Sequence, residues 1–171
     1  MKNYLSCPAV LANGSYLYDF QNKKLLHEIE LDKTELLETV EFIKSKVPEA
    51  TYRISFEKGF LCDKNNTIPF TEELADQLKD ILIIDDPLKY LDYPWHKLVF
   101  SANGNKGASS DGLAPLRDNW IRKVKDVVEK IEFKHLSFTT SSDTLLEILP
   151  KESSKGGPIN LHSFFVVVNV F

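Results

Sequence analysis

The chain has 171 residues, of which 43% are hydrophobic and 27% charged, and a formal net charge of −4. That suits one globular domain with its own core and excludes a disordered chain, a collagen, a coiled coil and a disulfide scaffold. The mildly acidic balance lacks the basic footprint of a dedicated nucleic-acid binder, and the longest apolar run, residues 164–168, is far below the ~20 residues that span a bilayer.

In chain order, the first signal is Asn13-Gly14 between the apolar segments 8–11 and 16–18. Both residues tolerate positive φ, so the pair predicts a hairpin or tight turn. Residues 25–31 alternate in part and read as a strand. A helix follows over 32–46: Asp32 can cap it, and Glu35 sits three positions on, as in a capping box. Leu36, Leu37, Val40, Ile43 and Val47 make one apolar stripe at helical spacing, and Pro48 ends the helix. Residues 51–56 and 60–62 read as a hairpin across Glu57-Lys58-Gly59.

Thr71 caps a predicted second helix over 72–80, with acids in its first turn, where the macrodipole favours them. A short apolar run, 81–84, ends at Asp85-Asp86-Pro87. Residues 96–102 are rich in β-formers and read as a strand; 103–112 read as a loop. A third helix is predicted over 116–130, with Trp120, Ile121, Val124, Val127, Val128 and Ile131 facing inward. Two strands, 136–140 and 144–149, flank Ser141-Ser142-Asp143. Strands outnumber helices and most links look like hairpins. The expected fold class is α+β: a mainly antiparallel sheet with helices packed on one face.

Cys7 and Cys62 have no CxxC or Cys/His context, so they read as reduced thiols rather than a zinc site. The N-terminal stretch lacks a signal-peptide h-region, and the expected location is cytoplasmic.

Strong catalytic motifs are missing from the 171 residues. There is no GxSxG elbow, no Walker loop, and no HxxxH or HExxH among His27, His96, His135 and His162. The loop 103–112 is an anion cradle or a solvated loop. Asp85-Asp86 is a carboxylate pair or a cap. Lys106, Arg117, Arg122 and Lys123 form a modest basic set or a wet helix face. Lys155, between Ser154 and Gly156-Gly157, can act as a mobile point charge toward phosphate or carboxylate.

Two segments carry a resemblance. PAVLANGSYLYD (8–19) resembles the stretch that leads into the cap of Cof-type hydrolases of the haloacid dehalogenase superfamily, and LLEILPKESSKG (145–156) resembles the stretch that leaves it. DPLKYLDYPWHKLVFSA (86–102) is similar to the cap interior. The resemblance implies a large α/β cap over residues 1–157, followed by an atypical apolar tail, 158–171, expected to pack as a strand or at a contact. The tail's FFVVVNVF has high β-propensity and no charge, an aggregation signature if exposed.

In that family a Rossmann-like core carries an Asp-x-Asp nucleophile motif and magnesium ligands, and the cap selects the substrate. No Asp-x-Asp occurs in these 171 residues, and the segment after Gly156 has no acidic residue. Of the family's catalytic set, only Lys155 carries over, from its place in Ser-Lys-Gly. The expectation is a truncated phosphatase: a specificity cap without activity alone, and without a metal or other cofactor of its own, magnesium belonging to the complete family. Its ligand is expected to be a phosphorylated sugar or another small phosphate ester, with Asn13, Arg53, Lys58 and Lys106 as candidate contacts by charge and position. The alternative is a non-catalytic sugar-phosphate-binding or protein-interaction module that docks on a separate core or self-associates. Neither nucleic acid nor membrane is expected as a partner.

Overall fold

The computed structural model describes residues 8–56, 59–63, 81–84, 87–101, 114–142, 145–153 and 166–167. The predicted helix at 72–80, the loop at 103–112, the pair Asp85-Asp86, and the candidates Lys58, Lys106 and Lys155 lie outside these residues. Along the described chain run β1 (Ala9–Leu11), β2 (Tyr16–Asp19), β3 (Lys24–Glu28) and α1 (Lys33–Lys46). Then come β4 (Tyr52–Phe56), β5 (Gly59–Asp63), β6 (Ile81–Ile84), β7 (Trp95–Ser101), α2 (Ala114–Val128), β8 (Leu136–Ser142), β9 (Leu145–Pro150) and β10 (Val166–Val167). The class is α+β. The strands divide between two sheets, where local patterning alone suggests one. The smaller is ordered β10-β1-β2-β3 and the larger β6-β5-β4-β7-β9-β8.

The small sheet starts from turn chemistry. Asn13 has φ 58° and ψ 26°, and Gly14 has φ 102°. These angles bring the Ser15 N–H to 3.1 Å from the Ala12 carbonyl, as in a type I′ turn, and β1 pairs antiparallel with β2. Ala12 also lies in the left-handed region, at φ 48°. Its Cβ makes that conformation costly by about 1–2 kcal/mol. The β2–β3 turn is held by Asp19, whose carboxylate accepts from the backbone N–H groups of Gln21 and Asn22. Strand β10 lies parallel to β1, with Val166 opposite Ala9 and Val167 opposite Val10.

The large sheet shows period-2 burial. In β4, Tyr52, Ile54 and Phe56 are buried, and Arg53 and Ser55 between them are half-buried. The first set joins Leu98 and Phe100 of β7, Leu146 and Ile148 of β9, and Leu136 of β8 in one apolar cluster. Both helices pack on this face. α1 contributes Leu36, Val40 and Ile43; α2 contributes Ile121, Val124 and Val128. Each such side chain contributes about 1.5–3 kcal/mol through burial.

The cap of α1 is the expected one, with the Asp32 carboxylate accepting from the Glu35 N–H at 2.8 Å. Glu35 itself departs from a capping box. Its two carboxylate oxygens accept from the Lys134 and His135 N–H groups, pinning the approach to β8. α2 begins two residues earlier than predicted, because Pro115 fits a first helical turn, where its missing N–H is not needed. β6 lies parallel to β5, an arrangement that requires a crossover between them. No helix among the described residues is long and apolar enough to cross a membrane.

Candidate functional site

The face of the large sheet away from the helices carries the polar chemistry. Strand registers line up Cys62, Arg53, Val99, Glu147 and Thr139 side by side across β5, β4, β7, β9 and β8. One step along, Ser55 of β4 stands between Phe60 and Lys97. Lys97 and Glu147 are 8% and 6% exposed, far more buried than such residues usually are. They satisfy each other: Lys97 Nζ lies 3.0 Å from Glu147 Oε1.

The second Glu147 oxygen leads to the small sheet. Asn13 Nδ2, at the tip of the β1–β2 turn, donates to Glu147 Oε2. The left-handed turn therefore has a structural result. It projects an amide from one sheet onto the polar face of the other.

Arg53 sits beside this group and is differently placed. Its Nε is buried without a hydrogen-bond partner, and its guanidinium carbon lies 5.4 Å from the centroid of the Phe60 ring. Burial lowers its pKa, while Cys62 and Glu147 act in the opposite sense. Burial pushes the Cys62 thiol up to about 11, so the group paired with Arg53 across the strands stays neutral near pH 7.

A second inter-sheet contact centres on His96, which is 1% exposed. Its ring is 4.7 Å from that of Tyr16, its Nε2 meets Glu28 Oε1, and its backbone carbonyl accepts from Ser15 Oγ at 2.9 Å. Its Nδ1 is buried without a partner. Between the linking segments, residues 29–32 and 150–152 line one cavity of about 310 Å³ with Lys134 and His135.

Of the sequence candidates, the structure brings Asn13 and Arg53 to the same polar face, with Glu147 between their strands and the small sheet. Lys58, Lys106 and Lys155 lie outside the described residues. Lys97 and Glu147 were not singled out by the sequence. Lys97 sits in HKLVFS and Glu147 in LLEILP; a lone charge at alternate strand positions of an apolar run was the available signal. Among the described residues no group of three His, Cys, Asp or Glu side chains could hold a metal ion.

The fold is shared with solved structures. SMU.1108c from Streptococcus mutans UA159 matches at a TM-score of 0.59 and 17% identity, over 87% of this chain and 50% of that one. A haloacid dehalogenase-like hydrolase from B. subtilis matches at 0.55 and 14% identity, over 90% and 56%. BT1666 from Bacteroides thetaiotaomicron, described among phosphatases of the haloalkanoate enzyme superfamily, matches at 0.56 and 12%, over 91% and 50%. The chain thus spans about half the length of the solved structures it matches. No curated protein matches it. The sequence profile of haloacid dehalogenase-like hydrolases covers residues 1–162, and the chain belongs to that family.

Proposed function

We propose that the chain is the substrate-selecting cap of a Cof-type phosphatase. Residues 1–157 form the α/β cap and 158–171 an apolar tail that packs as a strand or at a contact; its Val166–Val167 pair with β1. The nucleophilic aspartate and the magnesium ligands then come from outside these 171 residues, and the chain alone hydrolyses nothing. The substrate is a phosphorylated sugar or another small phosphate ester. Asn13 and Arg53 contact it, with Lys58, Lys106 and Lys155 as further contacts, and Lys155 is the family's phosphate-facing lysine. The setting is the cytoplasm, where the buried free thiol of Cys62 stays reduced.

The observation that carries this reading is the convergence of Asn13, Lys97, Glu147 and Arg53 on one face. There an amide from the small sheet meets a buried ion pair of the large one, beside the half-buried Arg53. The family match and the half-length coverage of the solved structures support it.

Two measurements test it. The pure chain with magnesium and para-nitrophenyl phosphate should release no phenol; genuine turnover would sink the claim of inactivity. Glucose 6-phosphate should move the amide resonances of β4, β7, β9 and the 12–15 turn, and shifts confined to other elements would refute the placement. The second reading is a binding module that docks on a separate core or on its own copy. It draws on Leu88 and Leu91, 59% and 39% exposed on one short segment. Light scattering that shows a monomer at millimolar concentration removes the self-association form of that reading.

A further inference from the structure

We propose that Arg53 is the receptor for an oxyanion, so that the ligand of this face is a phosphate ester bearing a second acidic group, a carboxylate or another phosphate. This rests on the cap reading above and narrows it from phosphate esters in general to doubly acidic ones.

The argument is one of charge accounting on a half-buried surface. The described charged side chains on the two rows of this face are Arg53, Lys97 and Glu147. Lys97 is neutralised by Glu147 at 3.0 Å, and the other Glu147 oxygen is engaged by Asn13. Cys62, across from Arg53 in the ladder, is 2% exposed and stays a neutral thiol. The Arg53 Nε is buried without a hydrogen-bond partner, and Glu147, the opposite charge that acts on Arg53, is already paired with Lys97.

A guanidinium in that state is expensive unless something completes it. Its five donors lie in a fixed plane that matches two oxygens of a carboxylate or phosphate. The Phe60 ring, 5.4 Å from the guanidinium carbon, helps hold that plane. A neutral polyol can accept hydrogen bonds there but leaves the charge unmet. Asn13 and Lys97 supply further donors nearby, and Glu147 orients both, so a ligand's hydroxyl groups have partners beside the anion.

The test uses the full chain and three probes: inorganic phosphate, acetate and glucose. The readouts are the Arg53 Nε–H resonance and the amide resonances of β4, β5, β7 and β9. Phosphate is expected to move the Arg53 Nε–H and the Cys62 and Val99 amides. Arg53→Gln should weaken phosphate binding by about tenfold or more, because a bidentate charged contact is lost. Arg53→Lys should be intermediate, and Lys123→Gln, at an exposed pair with Glu49, should bind as wild type. Acetate acting like phosphate assigns the carboxylate form; phosphate acting alone assigns the phosphate form. Unchanged phosphate affinity in Arg53→Gln overturns the inference. Should Arg53→Gln fail to fold, a wild-type Nε–H that does not move at saturating phosphate overturns it equally. Glucose shifting these amides while neither anion does overturns the inference and leaves the cap reading standing. No probe shifting any of them overturns both.

Discussion

Glu147 of β9 accepts a hydrogen bond from Asn13, 134 positions earlier in the chain, while its other oxygen holds Lys97. The carboxylate is thus shared between an ion pair within the large sheet and a contact from the small one. Replacing Glu147 by Leu leaves the Lys97 ammonium in a buried site without its counter-ion. The expected destabilisation is about 3 kcal/mol, and Lys97→Met added to it should recover most of that. Urea unfolding of the two single variants and the double variant checks this; additive losses would show that the pair does not couple.

Two carboxylates at the start of α1 secure different things. Asp32→Ala removes a cap and should cost about 1 kcal/mol. Glu35→Ala removes the acceptors for the Lys134 and His135 N–H groups and should cost a similar amount, on the order of 1–2 kcal/mol. The two can be told apart by hydrogen exchange. Asp32→Ala should speed exchange in the first turn of α1, and Glu35→Ala should do so at residues 134 and 135 instead. Equal protection there in the Glu35 variant and wild type would contradict the assignment.

Gly14 holds φ 102° and is buried. Gly14→Ala places a Cβ in a conformation that disfavours it and should cost at least about 1 kcal/mol. Because Asn13 rides on the same turn, the variant should also loosen the Asn13–Glu147 contact. The Asn13 side-chain amide resonances should broaden or shift toward their solvent values. Unaltered resonances would show that the turn does not position Asn13.

Stability should fall at alkaline pH. The Cys62 thiol is raised from 9.0 to about 11 and the Tyr52 phenol from 10.0 to about 12, in both cases mainly by burial. In each window the folded state keeps a proton that the unfolded state has lost. The contribution is therefore complete below the unfolded value and disappears as pH rises through the folded one. Urea midpoints should decline from about pH 9 to about pH 12, and Cys62→Ala should flatten the lower half of that decline. A midpoint unchanged between about pH 9 and about pH 11 in wild type would contradict the thiol's part.

Local chemistry was legible in the sequence, and distant partnership was not. Asn13-Gly14 dictates its turn by backbone tolerance, and the α1 stripe of Leu36, Val40 and Ile43 fixes which helix face is buried. The 81–84 run was visible as apolar, but its parallel place beside β5 depends on pairing that no local pattern encodes. Glu35 read as half of a capping box because its real partners are 99 and 100 positions away. At the candidate site, Asn13 and Arg53 stood out by charge and position. Glu147 and His96 did not, because their roles exist only once the two sheets meet.

The chain leaves the small sheet after β3 and rejoins it at β10. The departing and returning stretches, 29–32 and 150–152, line a common cavity. Everything between them, from α1 to β9, is therefore a cassette whose two ends adjoin. Such a segment can be lengthened, shortened or exchanged for another with little disturbance to the hairpin that receives it. A replacement cassette keeps the contact to the hairpin only where it offers a carboxylate at the place Asn13 reaches.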